Sequence, residues 1–402
     1  MNDIFGKIYA DQIDYNIRFL RHVVLEVTER CNLRCKYCAL SELYSIQQDR
    51  RSRDLPFAYV TNLLDFLFTF WEDDILKEIP TSTTISFYGG EPLLNFPLIE
   101  QVVHYIEKKN DGVNRDFSYS MTTNAILLPK YIDFFVRHNF NILISLDGDE
   151  YSDSYRIDAK GDPSFNCVYN NSKKIKDIYP DYFANNVSFN SVLTNRNSYE
   201  GIVSFFQKEF GKTPIISPLN TSNVNPLARS QFELIQNKLR PNNTTLPFEI
   251  SPAFQAFKRE FETKTGNYYY DFNELIYKRF RAESIYTGTC IPFSKKLFLT
   301  VGGKVLQCER ISHKYSLGFI NEHEVHIDFN EVASQHNKEI TKYGQSCQEC
   351  KIKYICPQCV YRGEVSHCEY CSKEPAKPFG FDSVRFNPVG ALEAVYKSKT
   401  KR

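Results

Sequence analysis

The chain has 402 residues, enough to bury a large core, and this predicts one domain of about 200 residues with a smaller one beside it. Hydrophobic residues make up 42% and charged residues 24%, with 32 Phe and 26 Tyr, which excludes a disordered polypeptide. A formal net charge of +1 gives no whole-molecule field for nucleic acid or a membrane surface, so partners must be read from local sites.

Twelve cysteines would be unusual as disulfides here, because residues 1–7 lack the apolar core of a secretion signal. The longest apolar run, residues 63–71, is too short and too interrupted to span a bilayer. A reduced, cytoplasmic protein is expected.

Residues 1–20 mix polar and aromatic side chains and read as a short strand pair or an arm. Residues 22–28 (His-Val-Val-Leu-Glu-Val-Thr) are apolar and β-branched enough for a buried strand. The loop leaving its C-terminal end carries Cys31, Cys35 and Cys38 in a C-x3-C-x2-C spacing. Structural zinc prefers paired C-x2-C units closed by a fourth ligand, and buried structural thiols prefer apolar periodic segments, whereas Asn32, Arg34 and Lys36 interleave these three. Three thiolates suit three corners of a [4Fe-4S] cube and leave one iron for a ligand that is not protein. In barrels of parallel strands, active sites assemble at this end.

Residues 50–54 are a solvated charge run, and Val60, Leu63, Leu64, Leu67 and Phe68 give residues 55–71 helical spacing. A strand at 83–87 ends in Tyr88-Gly89-Gly90-Glu91-Pro92, where two glycines let a ligand approach the backbone or simply make a turn. The alternation continues: helix 97–109, strand 116–122, helix 128–138, strand 141–145, helix 165–179, strand 186–193, helix 199–210 and strand 214–217. Repeated βα units argue for a parallel sheet curling into a partial barrel. Asn124, Ser145 and Asp147 lie at strand ends, and Asn190 inside the later strand. Taken alone, Asp147-Gly148 reads equally as a turn and Arg156 equally as a surface residue. Cys167, in a helix without a cysteine nearby, reads as a structural thiol.

Residues 219–286 lose the barrel pattern and read as a bridging helical insert, with helices at 231–238 and 253–263. Residues 298–307 read as a β-hairpin turned at Gly302-Gly303. Cys290, Cys308, Cys347, Cys350, Cys356, Cys359, Cys368 and Cys371 supply eight thiols, the number that two four-cysteine iron-sulfur clusters need and that two zinc sites would also consume. Residues 392–402 form a basic tail.

The triad, Tyr37 just before its last cysteine, Tyr88-Gly-Gly-Glu-Pro92 and the C-terminal cysteines together resemble a radical S-adenosylmethionine (SAM) enzyme with a SPASM auxiliary-cluster domain, of the peptide maturase type related to anaerobic sulfatase-maturing enzymes. The resemblance runs from about Arg21 to about Phe379. It implies an α/β fold: a partial (β/α)6 barrel at 1–218, the insert at 219–286, a small Cys-rich SPASM domain at 287–379 and a C-terminal helix and tail at 380–402. It further implies three [4Fe-4S] clusters, one on Cys31, Cys35 and Cys38 and two auxiliary. SAM would be held by Tyr37, Gly89, Gly90, Glu91, Asn124, Ser145, Asp147, Arg156 and Asn190.

By the same resemblance, Cys290, Cys308 and Cys359 belong to an inner auxiliary cluster and Cys347, Cys350 and Cys356 to an outer one, with Cys368 and Cys371 competing for what remains. The spacing departs from the pattern at Cys359, and Ser284 stands where sulfatase maturases have a further inner cysteine, which points to an open inner iron. The implied activity is formation of a 5′-deoxyadenosyl radical and oxidative crosslinking, by a thioether or carbon-carbon bond, of a ribosomally made precursor peptide, with Glu309 as general base and a flavodoxin or ferredoxin as electron donor. A formylglycine-forming sulfatase maturase is the near alternative, and a non-catalytic iron-sulfur redox or substrate-binding protein the distant one.

Overall fold

The computed structural model describes residues 7–45, 52–72, 81–111, 113, 115–220, 224–236, 289–347 and 359–361. Contacts divide the chain into two units, one holding Ala10–Asn237 with Pro292–Val332 and the other Met1–Tyr9, Lys238–Ile291 and Ala333–Arg402.

The first unit opens with helix α1, Ala10–Arg18, where a strand pair or arm was expected. Ile13 and Ile17, one turn apart, are its buried stripe, and such i, i+4 spacing outweighs the polar residues between them. Strand β1, His22–Thr28, is buried at every position after His22, as a strand inside a parallel sheet must be. Helix and strand then alternate: α2 (Phe57–Trp71), β2 (Thr81–Gly89), α3 (Phe96–Lys109), β3 (Arg115–Thr123), α4 (Leu128–Arg137), β4 (Asn141–Ser145), α5 (Phe165–Ile178), α6 (Pro180–Asn186), β5 (Val187–Leu193), α7 (Tyr199–Phe210) and β6 (Ile215–Pro218). Strands β1 to β6 lie parallel and adjacent in chain order, the arrangement of the expected partial barrel. Helix α8, Arg229–Ile235, follows in the region read as a helical insert.

The expected hairpin is present as β7 (Leu297–Leu299) and β8 (Lys304–Leu306). β7 pairs in parallel with the free side of β1, so the hairpin, with β9 (Gly318–Ile320) and β10 (Val325–His326), extends the barrel sheet. Helix α9, Phe329–Cys347, comes next. No helix among the described residues is long and apolar enough to cross a membrane.

Aromatic packing distinguishes the two faces of the sheet. Phe68 and Trp71 of α2 lie 6.0 and 5.8 Å from Phe117, Phe140 stacks on Phe87 and Tyr119 at 5.7 and 5.2 Å, and Phe206 and Phe210 of α7 sit 4.7 and 4.6 Å from Phe189. Each such side chain, fully buried, contributes about 1.5–3 kcal/mol. Side chains alternate along a strand, so Thr84, Ser86 and Tyr88 of β2 and Ser118 and Ser120 of β3 point to the other face. There the hydroxyls form a row: Thr84 to Ser118 at 2.8 Å, Ser86 to Ser120 at 2.5 Å, and His22 Nε2 to Ser86 at 2.5 Å.

At the opposite end from the cysteine loop, buried Arg115 donates to the carbonyls of Leu20 and Arg18 and to Thr83 Oγ1, with its guanidinium 4.4 Å over the Trp71 ring. Burial pulls it down to about 10. It ties the end of α1 to the sheet.

Candidate active site

The loop after β1 is braced before its first cysteine. Thr28 Oγ1 donates to Asp54 at 2.6 Å, Arg30 pairs with Asp54 at 2.6 Å, and Arg53 pairs with Glu29 at 2.8 Å. Cys31, Cys35 and Cys38 are half-buried, and the backbone N–H groups of Leu33 and Leu40 donate to the sulfurs of Cys31 and Cys38 at 3.4 Å. Burial pushes the Cys31 thiol up to about 11 and the Cys35 thiol up to about 12, so thiolates there require a bound cation.

The double glycine serves this loop. Gly90 N–H donates to Thr28 O at 2.9 Å and Glu91 N–H to Arg30 O at 2.8 Å. A Cβ on Gly89 would stand 2.2 Å from Thr28 O, and one on Gly90 2.1 Å from Arg30 O. The space that the glycines were expected to keep for a ligand is therefore filled, on the Cβ side, by backbone. Gly90→Ala is expected to displace the cysteine loop and cost about 1–3 kcal/mol, read as a lower chemical-denaturation midpoint.

Glu91 closes the end of β2 onto that of β3. Its buried carboxylate accepts from Leu93 N–H at 3.1 Å, Thr123 Oγ1 at 2.7 Å and Asn124 N–H at 2.7 Å. Asn124 Nδ2 in turn donates to Asn32 Oδ1 at 2.7 Å, which joins β3 to the cysteine loop. Burial raises the Glu91 carboxyl to about 7 against the hydrogen bonds, which lower it. A carboxyl raised on folding stabilises fully below its unfolded value, and that contribution is lost as pH climbs through the folded one. Between pH 4.5 and about 7 the native protein should lose about 3 kcal/mol that Glu91→Gln does not, measured by urea titrations at both pH values.

Ser145, the last residue of β4, faces Asn190 in the middle of β5, both half-buried. Asp147 and Arg156 are neither a plain turn nor a surface pair. Asp147 is fully buried, accepts from Arg156 Nη2 at 2.9 Å and Nε at 3.2 Å and from Val192 N–H at 2.8 Å, and also accepts from the Tyr37 hydroxyl. Cys167 is exposed on α5, so it is not the buried structural thiol expected.

Glu309 belongs to the other end of the sheet. Leu297 pairs with Val23 near the start of β1, and β8 runs antiparallel, so Cys308 comes level with Lys296. From Val23 to Thr28 the strand rises about 17 Å. Glu309, half-buried, accepts from Lys296 Nζ at 3.1 Å. Burial raises its carboxyl, but Lys296 and Arg310 outweigh burial and hold it below the usual range. The Tyr88 ring packs edge-on to Phe298 at 6.3 Å, and its phenol feels the charges of both Glu309 and Cys38.

Of the second cysteine set, Cys290, Cys308 and Cys359 are described and half-buried. In the second unit Val360 N–H donates to Thr289 Oγ1 at 2.9 Å, which brings the segment of Cys290 against that of Cys359. The side chain of Cys347 and all of Ser284, Cys350, Cys356, Cys368, Cys371, helix 253–263 and tail 392–402 lie outside the described residues.

A family model for the radical SAM superfamily matches residues 25–207. Residues 25–207 form a radical SAM domain. The chain is 24% identical over 360 residues to a cysteine-type anaerobic sulfatase-maturating enzyme of Clostridium novyi, covering 85% of this chain and 87% of that one. It is 28% identical over 216 residues to a radical SAM cyclopropyl synthase of Paramaledivibacter caminithermalis, covering 50% and 42%. It is 34% identical over 146 residues to an uncharacterized protein of Methanocaldococcus jannaschii, and so spans less than half the length of the last two relatives. Its fold is that of native anSMEcpe, solved with bound AdoMet and Cp18Cys peptide, at a TM-score of 0.55 and 17% identity over 95% of this chain and 99% of the other.

Radical SAM domains use a [4Fe-4S] cluster and SAM, and the cysteine loop fits that cluster. Backbone N–H groups already point at two sulfurs, the kind of hydrogen bond that tunes a cluster's thiolates. Among the described residues no three His, Cys, Asp or Glu side chains converge to hold a single ion, whereas a cube takes each thiolate on a separate iron. Sequence reasoning overlooked His22, Lys296 and the Ser86/Ser120 pair. Polar residues at every second position of otherwise buried strands were the available signal, and they mark the face opposite the aromatic packing.

Proposed function

We propose that this protein is a radical SAM peptide maturase that oxidatively crosslinks a ribosomally made precursor peptide through a thioether or carbon-carbon bond. The observation that carries the reading is the three-cysteine loop at the C-terminal end of β1, braced by the Gly89-Gly90-Glu91 turn. Its cluster, when bound, supplies the electron that converts SAM to methionine and a 5′-deoxyadenosyl radical. The protein's own part is to hold that site, to orient the peptide over the polar face of the sheet, and to take up a proton at Glu309. Cys290, Cys308, Cys347, Cys350, Cys356, Cys359, Cys368 and Cys371 would hold two auxiliary clusters in a SPASM domain at 287–379, and those clusters would supply an acceptor for the second electron.

We infer that Ser145, Asn124 and the Gly89–Glu91 turn at the strand ends, with Asn190 within β5, contact SAM, and that a flavodoxin or ferredoxin delivers the electron. The protein would act in the cytoplasm on a peptide, with neither nucleic acid nor membrane as partner. Near full-length similarity to the Clostridium novyi enzyme favours a second reading, oxidation of a Cys or Ser in a sulfatase to formylglycine. Reconstituted protein given SAM and dithionite should yield 5′-deoxyadenosine and methionine, and a redox carrier would yield none. Mass spectrometry then separates the two enzymes: a crosslinked precursor peptide loses 2 Da, whereas a sulfatase peptide gains an aldehyde.

A further inference from the structure

We propose that Asp147, Arg156 and Tyr37 form a positioning unit that fixes the cysteine loop, independently of SAM. This rests on the reading of Cys31, Cys35 and Cys38 as cluster ligands. The Asp147 carboxylate is fully buried and accepts four donors: two from Arg156, the Val192 N–H, and the Tyr37 hydroxyl. Such a carboxylate has no lone pair left for a ribose or ammonium. Arg156, only 7% exposed, donates to Asp147 as a fork, lies 3.4 Å from Asp153 Oδ1 and places its guanidinium 5.4 Å over the Tyr37 ring. It has a carboxylate and an aromatic face as partners already.

Tyr37 stands between Cys35 and Cys38, so whatever holds its ring also holds the direction of both thiols. Tyr155 packs edge-on to that ring at 6.4 Å. Two backbone bonds continue the strap: Arg34 N–H to Ile157 O at 2.6 Å and Lys36 N–H to Tyr155 O at 3.0 Å, with a bridge between Leu33 and Asp158. The segment after β4 thus runs alongside the cysteine loop, and the buried charges pin the two together. Asp153 Oδ1 accepts the Asp147 N–H at 2.9 Å and fixes the turn from below.

Tyr37→Phe and Arg156→Lys, reconstituted anaerobically, test the assignment, with the Cys31/Cys35/Cys38 triple alanine variant as the blank. Tyr37→Phe deletes one hydroxyl and keeps the ring, and Arg156→Lys keeps the charge and deletes the fork. Both should release iron to a ferrous chelator on the order of tenfold faster than the parent, the loss expected for a buried bond to a charged group. Their reduced-cluster paramagnetic spectra should differ from the parent without SAM, while circular-dichroism melting confirms folding. Spectra identical to the parent until SAM is added would overturn the inference and make these residues SAM ligands. A parent protein with no cluster signal beyond the triple variant would instead remove the reading of the triad itself.

Discussion

Replacing Cys31, Cys35 and Cys38 together by alanine should abolish SAM cleavage and lower iron by about four atoms per chain, leaving any iron on the second cysteine set in place. The thiols are half-buried on a loop braced by Thr28, Arg30, Asp54 and the Gly90 and Glu91 backbone, so alanines there remove ligands without emptying the core. Iron by colorimetric assay and 5′-deoxyadenosine by chromatography report the outcome. Cleavage retained by the triple variant would end the radical reading.

Glu309→Gln should slow formation of the oxidised peptide about 10²–10⁴-fold, the usual contribution of a general base, with iron content and SAM cleavage unchanged. Lys296 at 3.1 Å and the nearby Arg310 keep the carboxyl ionised despite burial, which is the form that receives a proton. The position of Glu309 near the start of β1, a strand's length from the cysteine loop, requires that the peptide reach across the polar face. Single-turnover assays on the cognate peptide separate this step from radical formation. An unchanged product rate would strip Glu309 of its role.

Most of the barrel was legible because its signals are local. Alternating βα periodicity located each strand from β1 to β6, with β1 buried almost throughout and β2 to β5 marked by buried residues at alternate positions. The cysteine loop was legible for the same reason, since ligand spacing is written in eight consecutive residues. What escaped were facts of long-range pairing. That β7 would join β1 rather than begin a detached sheet depends on residues about 275 apart, such as Glu26 Oε2 accepting the Val301 N–H. The double glycine was recognised, but its close packing on Thr28 and Arg30 was not, because that backbone arrives from β1 and the loop after it. Arg156 read alone was ambiguous, and only Asp147 and Tyr37, brought in from elsewhere in the sequence, determine its environment.

The row of hydroxyls formed by Thr84, Ser118, Ser86 and Ser120 has a kinetic meaning under the proposed chemistry. An aliphatic carbon radical takes hydrogen from the weakest bond within reach. Alcohol O–H bonds are stronger than aliphatic C–H bonds, so the hydroxyl hydrogens of this row are not the ones such a radical would take. Tyr88 is the exception, because a phenolic O–H is weaker than an aliphatic C–H. It stands at the next inward position of β2, within the field of both Cys38 and Glu309. A radical that misses its peptide would come to rest there, as a tyrosyl radical on the strand that leads to the Gly89-Gly90-Glu91 turn.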